Sequence, residues 1–166
     1  MTVSKTAVAE GASRKEMAEV ASDALQLGEL SELLGYSLKR AQLRIFEDFL
    51  NCVAPLQLTP AQFSVLLLLD RNPGRNQTEI ANTLGILRPN FVAMLDGLES
   101  RDLCTRLRST NDRRSHILAL TDKGKTVLAR AKKLVAGKHE ARLNELLGPA
   151  NRAALLAMLT KIVQEF

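Results

Sequence analysis

A group of arginine and amide side chains in the middle of the chain has the chemistry needed to bind nucleic acid. Arg88 and Asn90 flank Pro89. An arginine can donate two hydrogen bonds to guanine, and an asparagine can pair with adenine in the same way. Arg113 and Arg114 are adjacent in a polar turn, and arginine suits the narrow, electronegative minor groove. These residue types predict a surface that contacts duplex DNA.

Further polar residues near this group could bind the phosphates of the same duplex. Gln77 and Thr78 begin a predicted helix, and the free N–H groups at the start of a helix can bind a phosphate. Arg75, Arg106 and Arg108 add positive charge and are candidates for contacts with the DNA backbone.

The sequence lacks the residue sets of other chemistries. We find no Ser/His/Asp constellation, no glycine-rich phosphate loop and no clustered catalytic carboxylates, so we do not expect an enzyme. His116 and His139 have no partner ligands at metal spacing, so we expect no metal and no cofactor. Cys52 and Cys104 stand far apart, as expected for buried, reduced thiols.

The composition fits a globular nucleic-acid-binding protein. The chain has 166 residues and a formal net charge of +5. A basic balance is compatible with DNA or another anionic surface. The apolar runs are too short to span a membrane, and the first residues do not resemble a secretory signal. We therefore expect a cytoplasmic protein that does not bind a membrane.

The apolar periodicity places these arginines within a set of helices. Steps of three and four predict amphipathic helices, and Gly85 is suited to the C-terminal cap of one of them. Two short helices joined around a glycine are typical of a helix-turn-helix. The predicted helices are 29–53, 60–71, 77–84 and 88–101.

The pattern changes after Asp102. Residues 103–108 and 115–120 alternate apolar and polar side chains, which predicts a two-stranded hairpin. Thr121 can cap a second long helix that ends near Leu147, and a last helix runs to Phe166. The last helix is apolar over more than a narrow stripe, so a partner subunit is a natural place for it to bury.

The expected fold is mainly α with a small β-hairpin (α+β), a winged helix-turn-helix with long flanking dimerisation helices. The arginine-bearing turn lies at the tip of the wing. An alternative for that turn alone is a solvated hairpin end. The predicted organisation is a flexible tail at 1–15, N-terminal dimerisation helices at 16–56, the DNA-binding winged helix-turn-helix at 57–121 and C-terminal dimerisation helices at 122–166.

Three motifs resemble those of the MarR family of regulators. Residues 112–121 fit the pattern D-x-R-x-x-x-L-x-L-T, and residues 84–89 and 95–103 resemble the entry to and the exit from the family's recognition helix. The resemblance extends over about residues 29–165. It departs at Leu87, where the family usually has a small hydroxyl residue, and at Val92, Ala93 and Gly97, where polar residues are frequent. Direct readout is therefore expected to use few residues, with thymine methyl contacts and DNA shape contributing more.

The resemblance implies a homodimer on a pseudo-palindromic operator, with recognition helices in successive major grooves about 10 base pairs apart. It also implies that Arg114 enters the minor groove, while Asp112 orients it. It further implies a repressor that a small molecule releases from DNA, such as an aromatic carboxylate or its coenzyme A thioester. Such ligands would bind between the dimerisation helices and the winged helix.

Side chains that could line this implied crevice include two arginines one helical turn apart. Arg40 and Arg44 share a helix face and could bind a carboxylate or phosphate. The alternative is surface ion pairing with Glu47 or Asp48. The full set of candidate ligand residues is Tyr36, Arg40, Arg44 and Phe63.

Two other functions remain open. A ligand-independent architectural protein would bind DNA with little sequence preference, and nothing in the sequence excludes it. A winged-helix protein-interaction module would not bind DNA, and the arginine-bearing wing argues against it.

Overall fold

The N-terminal part of the described chain consists of two helical segments. A computed structural model describes residues 25–108 and 116–165, and the chain divides into two compact units, Met1–Ala41 and Gln42–Phe166. A 3₁₀ helix, Gly28–Glu32, precedes helix α1, Leu34–Val53. The prediction of one helix from residue 29 is wrong at its start, because Leu33 is extended with φ −74° and ψ 118°. The predicted tail, 1–15, and residues 16–24 lie outside the described residues.

Helix α2, Pro60–Arg71, has the predicted bounds because its start is fixed locally. The Thr59 side chain accepts a hydrogen bond from the Gln62 N–H, and the Gln62 side chain accepts one from the Thr59 N–H. This capping box satisfies two N–H groups that the first turn would otherwise leave without partners. The helix buries Val65, Leu66 and Leu69 against the core.

Helices α3, Gln77–Thr83, and α4, Arg88–Ser100, form the predicted helix-turn-helix. Gly85 lies between them with φ +63°, a left-handed conformation that glycine adopts without steric cost. Helix α4 turns Phe91, Leu95 and Leu98 towards the interior, as the periodicity predicted. The turn therefore sets the second helix at an angle that buries its apolar stripe.

The predicted hairpin follows α4. Strands β1, Cys104–Arg108, and β2, His116–Leu120, pair antiparallel, with Cys104 opposite Leu120 and Arg108 opposite His116. The Leu118 N–H donates to the Arg75 carbonyl at 2.9 Å, which connects the hairpin to the chain just before α3. This hydrogen bond therefore holds strand β2 against the segment that leads into the helix-turn-helix.

The predicted long helix from residue 122 to residue 147 is confirmed, and its middle part is π-helical. Helix α5, Asp122–Leu134, continues through a π-helical segment, Val135–Glu140, into helix α6, Ala141–Leu147, and helix α7, Pro149–Glu165, follows Gly148. A π turn inserts an extra residue into an α-helix and often marks a functional position.

The core lies between α2, α4, the hairpin and α5. Its fully buried large side chains include Leu66, Leu98, Leu118 and Leu128. Cys104 is buried there, as predicted. The prediction that Cys52 is also buried is wrong, because Cys52 lies half-buried at the edge of the core, where its thiol donates to the Leu134 carbonyl at 3.2 Å.

The start of α5 lies unusually close to the end of the helix-turn-helix. The Thr121 hydroxyl donates to the Asp102 carbonyl at 2.6 Å and accepts from the Gly124 N–H at 2.9 Å. A Cβ atom at Gly124 would lie 1.9 Å from the Leu103 carbonyl oxygen. A side chain at this position therefore requires the backbone to move.

We expect Gly124→Ala to lower the free energy of unfolding by at least about 2 kcal/mol, since overpacking against backbone cannot relax through side-chain rotation. Urea unfolding at fixed protein concentration measures the change. The matched control is Gly97→Ala, a helical glycine whose added Cβ meets nothing within 4 Å, so its stability should stay equal or rise by up to about 1 kcal/mol. Equal stabilities for Gly124→Ala and the wild type would contradict the packing argument.

Candidate nucleic-acid interface

The start of α3 is held by its own cap. The Asn76 side chain accepts hydrogen bonds from the Thr78 and Glu79 N–H groups at 2.9 and 3.0 Å, and the Glu79 carboxylate accepts from the Asn76 N–H at 2.8 Å. The expectation that Thr78 offers a free N–H to phosphate is therefore wrong, because its N–H already has a partner. The exposed Thr78 side chain and the half-buried Gln77 side chain stay available. Asn followed three residues later by Glu was the sequence signal for this cap.

Helix α4 begins without a side-chain cap, as the leucine at position 87 predicted. Leu87 occupies the N-cap position and makes no side-chain hydrogen bond. Arg88, Pro89 and Asn90 follow in the first turn, and all three are exposed. The structure thus places the two predicted base-reading residues, Arg88 and Asn90, on either side of Pro89 at one accessible helix start.

The wing is described only at its base. Arg108 is exposed at the end of β1, opposite His116. Asp112, Arg113 and Arg114 lie outside the described residues, so their predicted contacts stay predictions.

Two of the predicted phosphate contacts have acidic partners. Arg75 pairs with Glu79 at 2.9 Å, and both side chains are exposed. Arg106 is more enclosed, with 26% of its side chain exposed, and it pairs with Asp96 at 2.7 Å and with Glu99 at 2.5 Å. The expectation that Arg106 contacts DNA is therefore not supported. Its guanidinium instead attaches strand β1 to helix α4, a role that the sequence pattern did not reveal.

Two of the candidate effector residues belong to each of the compact units. Tyr36 is half-buried and Arg40 is exposed in the unit that ends at Ala41. In the other unit, Arg44 lines a cavity of about 460 Å³ and pairs with Glu47 at 2.9 Å, which is the alternative weighed for it. Phe63 does not line this cavity and packs on Phe49 with ring centroids 5.4 Å apart.

Comparison with known proteins gives a consistent result. The family model described as "MarR family" matches residues 58–116. A putative transcriptional regulatory protein for the hcr operon of Thauera aromatica is 28% identical over 139 residues, which cover 83% of each chain. The transcriptional repressor CouR bound to a 23-mer DNA duplex is 77% identical, with a TM-score of 0.82 over 85% of this chain and 99% of that one. The chain belongs to the MarR family.

Other solved MarR-family structures extend the comparison. CouR bound to p-coumaroyl-CoA is 77% identical, with a TM-score of 0.81 over 86% of this chain and 99% of that chain. A mutant MarR from E. coli complexed with operator DNA is 25% identical, with a TM-score of 0.76 over 83% of this chain and 99% of that one. This MarR-family chain is accordingly a transcriptional regulator and not an enzyme. Within residues 25–108 and 116–165, no helix taken singly is long and apolar enough to cross a membrane.

A buried histidine lies next to the 460 Å³ cavity of this MarR-family chain. His139, in the π-helical segment, is only 4% exposed. Its Nδ1 lies 2.7 Å from an Asp48 carboxylate oxygen, and the other oxygen of Asp48 accepts from Arg142 at 2.7 Å. The His139 ring meets the Phe49 ring edge-on, with centroids 5.5 Å apart. Sequence reasoning weighed His139 only as a metal ligand and missed this pair, whose members are 91 residues apart.

These contacts make the carboxylate of Asp48 a stronger acid. The hydrogen bond with His139, followed by the charge of Arg142, holds the pKa of Asp48 below its ordinary value. A lowered folded-state pKa contributes stability above the ordinary aspartate pKa of about 3.9, and that contribution is lost as the pH falls through the folded-state value.

We expect Asp48→Asn to lower the free energy of unfolding at pH 7 by about 1–2 kcal/mol, because two charge-assisted hydrogen bonds weaken. The difference from the wild type should begin to shrink below about pH 4, where the carboxylate of the unfolded wild-type chain becomes protonated, and should disappear only below the lowered folded-state pKa. Chemical unfolding at pH 7 and pH 3 measures both values. The control is Glu47→Gln, which removes only an exposed pair with Arg44 and should cost at most about 1 kcal/mol. A loss of the same size at both pH values would contradict the assignment.

Proposed function

We propose that this protein is a homodimeric repressor that binds a pseudo-palindromic operator and leaves it when it binds the coenzyme A thioester of an aromatic acid. The observation that carries the proposal is the 77% identity to CouR, a repressor solved with a DNA duplex and with p-coumaroyl-CoA. Because its target is chromosomal DNA, we infer that the protein acts in the cytoplasm.

We assign base readout to the first turn of α4. Its exposed Arg88 and Asn90 have the donors and acceptors that purine edges require, and exposed Arg108 stands where the wing begins. The wing arginines would extend the contact into the minor groove. The proposed DNA-contacting residues are Arg75, Gln77, Thr78, Arg88, Pro89, Asn90, Arg108, Arg113 and Arg114.

We assign dimerisation to the terminal segments, 16–56 and 122–166, because many apolar side chains on α1 and α7 are exposed within the described chain. Helix α7 has no buried residue, and its apolar side chains Met158 and Val163 are 57% and 84% exposed. Phe46 and Leu50 on α1 are 42% and 45% exposed. Exposed apolar surface of this extent is typical of a protein interface. A second copy of the chain would bury it and place two α4 helices on one duplex.

We assign effector binding to Tyr36, Arg40, Arg44 and Phe63. A coenzyme A thioester of an aromatic acid combines an apolar ring with anionic phosphates. Arg40 and Arg44 are one turn apart on α1 and are exposed, so they could bind the anionic part. The ring would require an apolar surface such as those of Tyr36 and Phe63. An effector of this kind releases DNA only through its different affinities for the free and the operator-bound protein.

The proposed DNA binding is tested on a duplex selected from a random-sequence library, with fluorescence anisotropy against a scrambled duplex. We expect about a thousandfold discrimination and a steep dependence on salt. Arg88→Gln should weaken operator binding by about tenfold or more and narrow the discrimination, because a base contact is lost. Arg71→Gln removes the same charge from the exposed end of α2, outside the proposed DNA-contacting residues, and should leave both the affinity and the discrimination unchanged. Equal binding to both duplexes would favour an architectural protein, and no binding at low salt would overturn the proposal.

Effector response is tested by adding p-coumaroyl-CoA to the operator complex, with free coenzyme A and p-coumarate as controls. We expect release by the thioester alone, with a coupling of about 1–3 kcal/mol. Arg40→Glu should raise the concentration needed for release, because an anion-binding charge is reversed. The neighbouring exposed Lys39 supplies the matched reversal, Lys39→Glu, which should respond like the wild type. An unchanged response of Arg40→Glu would exclude Arg40 from the site.

A further inference from the structure

A small apolar cavity lies between the two helices of the helix-turn-helix. It measures about 130 Å³ and is separate from the larger cavity beside Arg44. Ala81 of α3, Ile86 of the turn, and Phe91 and Val92 of α4 form its apolar lining. Ala81 and Phe91 are 3% and 1% exposed, so they form the floor, while Val92 is half-buried and stands nearer the opening.

The polar residues of the lining show which way the cavity opens. Gln77 and Thr78 belong to the first turn of α3, and Arg88 begins α4. Asn82, near the end of α3, is the fourth polar residue of the lining. In a helix-turn-helix on DNA, the start of the recognition helix faces the base edges. The mouth of the cavity therefore lies on the surface to which operator binding is assigned above.

The lining chemistry restricts what can enter from the major groove. The floor formed by Ala81 and Phe91 offers no side-chain donor or acceptor, so a polar base edge placed against it would lose its hydrogen bonds there. The polar side chains of the lining belong to Gln77, Thr78, Asn82 and Arg88. Among the groups that base pairs present in the major groove, the 5-methyl group of thymine is the apolar one.

The outer face of α4 beyond its first turn offers no competing polar contact. Ala93 and Gly97 carry no side-chain donor or acceptor. Asp96 is negatively charged, and its carboxylate accepts from Arg106 at 2.7 Å. Beyond the first turn of α4, a base is therefore expected to meet apolar side chains. Val92 is the residue placed to contact it.

We propose that this cavity, the methyl pocket, takes the 5-methyl group of one thymine in each operator half-site, and that Val92 determines this specificity. The assignment rests on the proposed function, because it presupposes operator binding through α4. It adds a contact that selects thymine by its methyl group at a position where α4 cannot form hydrogen bonds with the base.

The test replaces thymine by deoxyuridine in the selected operator, one symmetric pair of positions at a time. Deoxyuridine keeps every hydrogen-bonding group of the base and removes only the methyl group. At a single position, we expect the affinity for the operator to fall about fourfold per half-site, which is the effect of one buried apolar carbon group. For the symmetric pair, the fall is therefore on the order of tenfold. The remaining substituted positions should bind like the parent duplex.

Variants of Val92 test whether the loss of affinity for the deoxyuridine duplex arises in the methyl pocket. Val92→Ala should bring the thymine-to-deoxyuridine affinity ratio at that position close to one. Val92→Leu fills the cavity and should bind the deoxyuridine duplex at least as well as the thymine duplex. Ala93→Ser, at the exposed neighbour, is the control and should keep the wild-type ratio.

The outcomes separate this assignment from the function on which it rests. Specific operator binding with no deoxyuridine-sensitive position would overturn the methyl pocket and leave the regulator intact. Val92→Ala with an unchanged ratio would also overturn it. Failure of the wild type to bind any duplex would overturn the proposed function and the methyl pocket with it.

Discussion

The two ion pairs of Arg106 fix the relation between the parts of the molecule that meet DNA. Its guanidinium contacts Asp96 and Glu99 on α4, while its own N–H donates to Glu99 at 2.8 Å. Helix and strand therefore move together, and the hydrogen bond from Leu118 to Arg75 carries the connection on to α3. Arg106, a predicted phosphate contact, instead holds helix α4 and strand β1 together.

Structure set by near neighbours in the chain was predictable, and structure set by distant ones was not. The start of α2 follows from a threonine and a glutamine three residues apart, and the uncapped start of α4 follows from Leu87. Residues such as Arg106 have a role decided by partners on another element, so composition alone suggested DNA contact. His139 and Asp48 form the extreme case, because no local pattern relates them. The candidate DNA surface was thus predictable as a region, while the division of its arginines into contacting and positioning residues required the fold.

The same distinction explains the corrections at the helix ends. The sequence predicted that Thr78 offers its N–H to a phosphate because it lies in the first turn of a helix, but the side chain of Asn76 already accepts a hydrogen bond from that N–H. The helix from residue 29 was predicted from its apolar spacing, which continues through Leu33 although the backbone there is extended. Periodicity reports which side chains could share a face, and it is insensitive to a single residue that leaves helical geometry.

The π-helical segment, Val135–Glu140, has a consequence for how the C-terminal helices could have diverged among related proteins. Leu128 and Ala131 before it are buried, as is its first residue, Val135, whereas Leu146 beyond it is 78% exposed. Each residue added to or removed from an α-helix rotates everything beyond it by about 100°. A π turn corresponds to one extra residue inserted into an α-helix. Its gain or loss would therefore rotate the exposed face of α6, while the buried face of α5 kept its orientation towards the core. Partner choice in this fold could therefore change by a single codon, without the gradual remodelling of a contact surface.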